Sequence, residues 1–161
     1  MLVRDFMNRE VETCEPGDDL AKAAMIMWRK DCGIVPVVED GSRQVLGVVT
    51  DRDICMAAAT RHRSPDQMVV AEVMARRPCA VRADEDVTTA LDQMRTERVR
   101  RLPVVGQDGR LEGILSLADV LVGLDRAGGT GSKQLMTTVM STLQNICSRA
   151  PESREAQAVH A

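Results

Sequence analysis

The pattern Gly-x-x-(Thr/Ser)-x-x-Asp is written twice in this chain, as Gly47-Val48-Val49-Thr50-Asp51-Arg52-Asp53 and as Gly113-Ile114-Leu115-Ser116-Leu117-Ala118-Asp119. The copies stand 66 residues apart in a chain of 161. Self-similarity at that period restricts the fold to one built from two equivalent halves. In each copy an apolar run leads to a hydroxyl and then to a carboxylate three residues on. A strand is therefore expected to run straight into a helix that Thr50 or Ser116 caps.

The remaining elements fall into the same duplicated order. Residues 3–7 read as a short turn and Val11 to Cys14 as a brief strand. Pro16-Gly17-Asp18 breaks that strand, and Asp18 or Asp19 can cap the helix that follows. There Leu20, Ala23, Ala24, Met27 and Trp28 recur at helical spacing and predict one buried face. Gly33 suits a left-handed cap. Ile34-Val35-Pro36-Val37-Val38 is a continuous apolar run, expected as a buried strand with Pro36 at its start or on an edge. Asp40-Gly41 signals a hairpin, Val45 to Thr50 its return strand, and Asp51 to about Arg61 a helix.

After the polar stretch Arg61 to Asp66 the plan repeats. Phe6-Met7 matches Val73-Met74, Leu20, Ala23 and Met27 match Val87, Ala90 and Met94, and Val35-Pro36-Val37-Val38 matches Leu102-Pro103-Val104-Val105. The expected organisation is an α/β (α+β) fold. It has one repeat over 2–62, a second over 63–126, a flexible link over 127–132, and a C-terminal helix over 133–149. A disordered tail is expected over 150–161. Leu135, Val139, Leu143 and Ile146 form an apolar stripe on the last helix, with Met136 and Met140 beside it. That stripe is expected to dock back on the protein or to be offered to a partner.

Composition narrows the function. The net charge is −3, which supplies no bulk attraction to nucleic acid or anionic lipid. No apolar run follows a basic start, and none is long enough to span a bilayer, so neither a signal peptide nor a membrane helix is expected. Five scattered cysteines without a Cys-x-x-Cys pair read as reduced thiols in a cytoplasm, not as disulfides or a metal clasp. His62 and His160 have no partners at ligand spacing. Gly128-Gly129-Thr130-Gly131 lacks the lysine of a phosphate loop. No catalytic residues and no metal site are expected, and the chain does not read as an enzyme.

The Pro-Val-Val strand, the Asp-Gly hairpin and the Gly-x-x-(Thr/Ser)-x-x-Asp junction, each present twice over about residues 2–125, resemble the cystathionine β-synthase (CBS) domain. Val49-Thr50-Asp51-Arg52-Asp53-Ile54 and Arg101-Leu102-Pro103-Val104-Val105 are close to the family's usual wording. The resemblance implies a tandem pair with pseudo-twofold symmetry and a cleft on each side. Such clefts take adenosine-containing ligands: AMP, ADP, ATP, S-adenosylmethionine or a dinucleotide. It also implies a regulatory role, a homodimer, a protein target, and no required cofactor.

Residue chemistry fits that expectation. One carboxylate can accept from two neighbouring ribose hydroxyls, which makes Asp53 and Asp119 candidates. Thr50 and Ser116 can cap their helices or reach a sugar or phosphate, and a helix N-terminus favours an anion. The bland alternative is that all four residues only cap helices. Only the second repeat carries Arg98, Arg100 and Arg101 ahead of its Pro strand. Arg101 matches a phosphate-contacting position of some family members, whereas Arg98 and Arg100 read as a solvated edge or as partners of Glu97. Arg52 is a second phosphate candidate. With no aromatic at hand, an adenine ring would lie between aliphatic groups near Pro36 and Pro103, namely Val35, Val37, Leu102 and Val104, and would be read by main-chain groups. The runner-up function is a structural dimerisation module with empty clefts. Nucleic-acid binding through the three arginines is disfavoured by the acidic balance.

Overall fold

The computed structural model describes residues 1–127 and 130–148. The expected tail and Gly128-Gly129 lie outside them. The first repeat comprises α1 (Leu20–Lys30), β1 (Ile34–Val38), β2 (Val45–Thr50) and α2 (Asp51–Arg61). Next come β3 (Ala75–Arg76), β4 (Val81–Arg82), α3 (Val87–Glu97), β5 (Arg101–Val105), β6 (Leu111–Ser116) and α4 (Leu117–Ala127). The last helix is α5 (Thr130–Cys147).

Two three-stranded sheets result, ordered β1-β2-β3 and β4-β5-β6. The hairpins match: Pro36 pairs with Val48 and Pro103 with Ile114, and both carry a bulge near their tips. The tips meet, with Val45 N donating to Gly109 O (3.5 Å), Leu111 N to Arg43 O (3.0 Å) and the Gln44 side-chain amide to Asp108 O (2.6 Å).

Two hydrophobic cores form, and each borrows a segment from the other half. The first gathers Leu20, Ala23, Met27, Val35, Val37, Val49 and Ile54 with Met68 and Val70 of the second repeat's lead-in. The second gathers Val87, Leu91, Met94, Leu102, Leu115 and Val120 with Val3 and Met7 of the chain's first residues. Hydrogen bonds tie these crossings down. Val3 N donates to Glu85 O (2.9 Å) and Val87 N to Met1 O (2.9 Å), while Leu20 N donates to Met68 O (2.9 Å) and Val70 N to Asp18 O (2.8 Å).

The crossings explain the first letter of the repeated motif. A Cβ on Gly47 would lie 2.7 Å from Ala75 O, and one on Gly113 would lie 2.5 Å from Asn8 O. Each motif glycine is where the borrowed segment passes over the strand, and no side chain fits there.

Several expectations need correction. Trp28 is 83% exposed, because the buried face of α1 turns through Leu20, Ala23, Ile26 and Met27 instead. The left-handed cap of α1 is Asp31 (φ 48°), not Gly33, and its counterpart Arg98 (φ 56°) caps α3 in the same way. Val11 to Cys14 is no strand. Only Cys14 bridges to Val37, since Glu15 N already turns to donate to Asp18 Oδ2 (2.8 Å). α5 begins at Thr130, inside the stretch expected as a link, and packs on α3 and α4 with Leu135 and Val139 buried.

Candidate functional site

The strand-to-helix junctions have the same geometry in both halves. Ser116 N and Oγ donate to Asp119 Oδ2 (2.8 and 2.6 Å), and Asp119 N donates back to Ser116 Oγ (3.1 Å). Thr50 N and Oγ1 donate to Asp53 Oδ2 (2.9 and 2.7 Å), and Asp53 N returns to Thr50 Oγ1 (3.2 Å). Both are capping boxes, so the capping role is real in each copy. One carboxylate oxygen is thereby spent on the box. Oδ1 of Asp119 keeps its acceptor sites, enough for adjacent hydroxyls.

What surrounds the boxes differs. Ser116 and Asp119 open on a cleft of about 250 Å³ between the repeats. Arg101 borders it from β5, Ile34 from β1, and Asn8, Glu10 and Glu12 from the chain's first segment. Glu12 is neutralised by Arg29 (2.9 Å) and Lys30 (3.3 Å). Arg101 makes no ion pair among the described residues.

A second cleft of about 910 Å³ lies against the first. Its walls are helical: Trp28 of α1, Ile54 of α2, Leu117 and Leu121 of α4, Val139 and Leu143 of α5. Asp31, Cys32, Arg101 and Ser116 border both clefts.

Of the expected site residues, Arg101, Ser116 and Asp119 are brought together. Thr50, Asp53 and Arg52 line neither cleft. Val35 and Leu102 are buried at 0% and 1% exposure, and Pro36 and Pro103 are buried with them. Val37 and Val104 are also core residues. Val35, Val37, Leu102 and Val104 face the cores and none of the six walls either cleft, so the adenine sandwich drawn from them does not form; these positions can offer only main chain. Arg98 pairs not with Glu97 but with the carbonyls of Ile146 and Ser148 at the end of α5. Arg100 lines the large cleft. The contributions of Asn8 and Glu10 were not legible, because they depend on the crossing of the first segment. Among the described residues no group of three or more His, Cys, Asp or Glu is placed to hold a metal, and no helix is long and apolar enough to cross a membrane.

The sequence model of the CBS domain matches residues 3–60 and 70–126. The chain belongs to the CBS domain family. It is 34% identical over 120 residues to the CBS domain-containing protein YhcV of Bacillus subtilis, covering 74% of this chain and 83% of that one. It is 32% identical over 117 residues to hypoxic response protein 1 of Mycobacterium tuberculosis, covering 73% and 80%. A homoserine O-acetyltransferase of Methanohalobium evestigatum matches over only 23% of its length.

Among solved structures, Hypoxic Response Protein I with two coordinated zinc ions superposes with a TM-score of 0.67 at 31% identity, covering 74% of this chain and 96% of that one. CBSX2 in complex with AMP superposes at 0.65 and 26%, covering 78% and 97%. The CBS domain pair of MJ0100, in complex with 5-methylthioadenosine and S-adenosyl-L-methionine, superposes at 0.70 and 23%, covering 80% and 98%, and speaks for the fold alone.

Proposed function

We propose that this CBS pair is a regulatory module that binds an adenosine-containing ligand in the smaller cleft and passes its bound state to a protein target. The observation that carries the reading is the convergence of Ser116, Asp119 and an unpaired Arg101 on one inter-repeat cleft. Asp119 Oδ1 takes ribose hydroxyls, Arg101 takes phosphate, and the main chain beside Ile34 reads the base. Thr50 and Asp53 serve as caps, with Arg52 at the surface. The AMP complex of CBSX2 supports the ligand class. A reducing cytoplasm suits five free thiols.

The test is a thermal melt of the purified protein against AMP, ADP, ATP and S-adenosylmethionine. Ligand at a hundred times its dissociation constant adds about 2.7 kcal/mol, which raises the melting temperature by several degrees for a domain of this size. No shift with any of them at millimolar concentration rejects the reading.

A second reading, a dimerisation module with empty clefts, is favoured by the exposed apolar residues Met25 of α1, Met56 of α2 and Val122 of α4 (55%, 49% and 52%). A homodimer is part of both readings, and the melt separates them.

A further inference from the structure

The two repeats are finished differently. α5 lies beyond the stretch that matches the CBS domain and packs on α3 and α4. Its Leu135 and Val139 join Leu91 of α3 and Leu124 of α4 in the second core, where all four are buried. After α2 the chain makes only two three-residue helical turns before β3, so the first repeat is followed by no such helix. The counterparts of Leu91 and Leu124 there are Ala24 and Ala58, smaller and partly exposed. On the same two helices Met25, Trp28, Cys55 and Met56 stand exposed. α5 also has a second stripe. Met136, Met140 and Leu143, at helical spacing, turn outward with 36%, 48% and 36% exposure. Charged residues make up 28% of the chain, yet none occurs from Gln134 to Cys147 or from Ile54 to Thr60. Depletion of charge marks the centre of an interface, not a face kept in water.

The large cleft lies between these two faces. Trp28 and Cys55 wall it from α1 and α2, and Leu121 and Leu143 from α4 and α5. Its carboxylates, Asp31 and Asp51, belong to the first repeat, and its guanidiniums, Arg100 and Arg101, to the second. A second copy that pairs head-to-tail sets carboxylates against guanidiniums, whereas one that pairs head-to-head sets like against like. We propose that the homodimer is head-to-tail and that the outward stripe of each α5 lies on α1 and α2 of the other copy. The second core is then closed by the chain's own α5 and the first by its partner's. A twofold axis makes the contact twice, since every copy carries both faces. Trp28 is the anchor, a large ring with a polar edge of the kind that interfaces favour, and the methionines fit around it. The proposal rests on the homodimer common to both readings above and adds its orientation and the role of α5.

Light scattering and tryptophan emission over a dilution series of the full chain test it, since Trp28 is the one tryptophan and the chain has no tyrosine. The expected result is a mass of twice 17.6 kDa at micromolar concentration, with Trp28 emitting to the blue of the diluted monomer. Met140→Asp, at an exposed position where a carboxylate is compatible with folding, should raise the dimer dissociation constant by about tenfold or more. Trp28→Ala should do the same. Oxidative cross-linking of Met140→Cys in a Cys147→Ser background supplies the register. The disulfide-linked dimer should join Cys55 of one copy to position 140 of the other. A dimer without that link, or one linked 55 to 55 or 140 to 140, overturns the proposal. So does a link of 55 to 140 confined to the monomer band, or a dimer whose affinity Met140→Asp leaves unchanged. The monomer mass at every concentration overturns the homodimer of both readings as well, and leaves the nucleotide melt to be judged by itself.

Discussion

Asp53 and Asp119 are held by hydrogen bonds that agree to within about 0.1 Å, yet only Asp119 borders a cleft. The pair therefore separates capping from binding. Asp53→Ala and Asp119→Ala should lower stability alike, by about 1 kcal/mol each. Nucleotide affinity should fall for Asp119→Ala alone, by roughly 1.5–3 kcal/mol, and titration of both variants checks it. Equal losses of affinity would show that the cleft beside Asp119 is not the site. Cys14 makes a second prediction. Burial, helped by the charge of Asp18, pushes its thiol up to about 12 from an ordinary 9.0. The folded thiol stays neutral while the unfolded one ionises, so this contribution to stability is whole below about pH 9 and is lost as pH rises toward 12. Between about pH 8 and about pH 10 the wild type should lose more unfolding free energy than Cys14→Ala. At the same time Cys55 and Cys147, both exposed, should react with alkylating reagent and Cys14 should not. At this scale the sequence named Ser116, Asp119 and Arg101, which the fold brings to the border of one cleft. It could not disclose the place of Trp28, since helical spacing marks a stripe and Trp28 stands at its margin, on the wall of the large cleft.

Every helix and both hairpins were readable from capping residues, periodicity and turn signals, because those signals are local. The misreadings came where a distant segment decides the outcome. Val11 to Cys14 has strand residues but only Val37 to pair with. The motif glycines read as punctuation and are in fact crossing points. Gly113→Ala should destabilise by more than the few tenths of a kcal/mol typical of surface changes, about 1–3 kcal/mol as for an overpacked core, because backbone and not a yielding side chain stands in the way. Gly17→Ala, with open space around it, is the control in chemical denaturation. For α5, the stripe was legible and its dock was not, since the receiving face belongs to α3 and α4. Leu135→Ala should cost about 2–5 kcal/mol, and Met140→Ala, at 48% exposure, much less. Comparable losses would mean that α5 leaves its dock in solution.

At the scale of the molecule, Met25 of α1, Met56 of α2 and Val122 of α4 stand in water, apolar surface that a second copy of the chain would cover. A homodimer is the expected state. Light scattering at micromolar concentration should give twice 17.6 kDa, and the monomer mass would count against it. The two-half architecture was legible because the period survives in sequence. That each half completes the other was not, because the lead-in segments look alike and nothing in their residues says which core they enter.

That exchange bears on the order of assembly during synthesis. The segment the first core needs, Met68 to Met74, emerges soon after the rest of its residues. The partners of Met1 to Asn8 lie at 83–87 and 114, so this segment is synthesised long before the residues it packs on. Until then Val3 and Met7 remain an uncommitted apolar arm. Two chains that traded these arms would keep every hydrogen bond of the crossing, and a crowded refolding mixture would interlock them as intertwined dimers, distinct from the pairing across the helical layer.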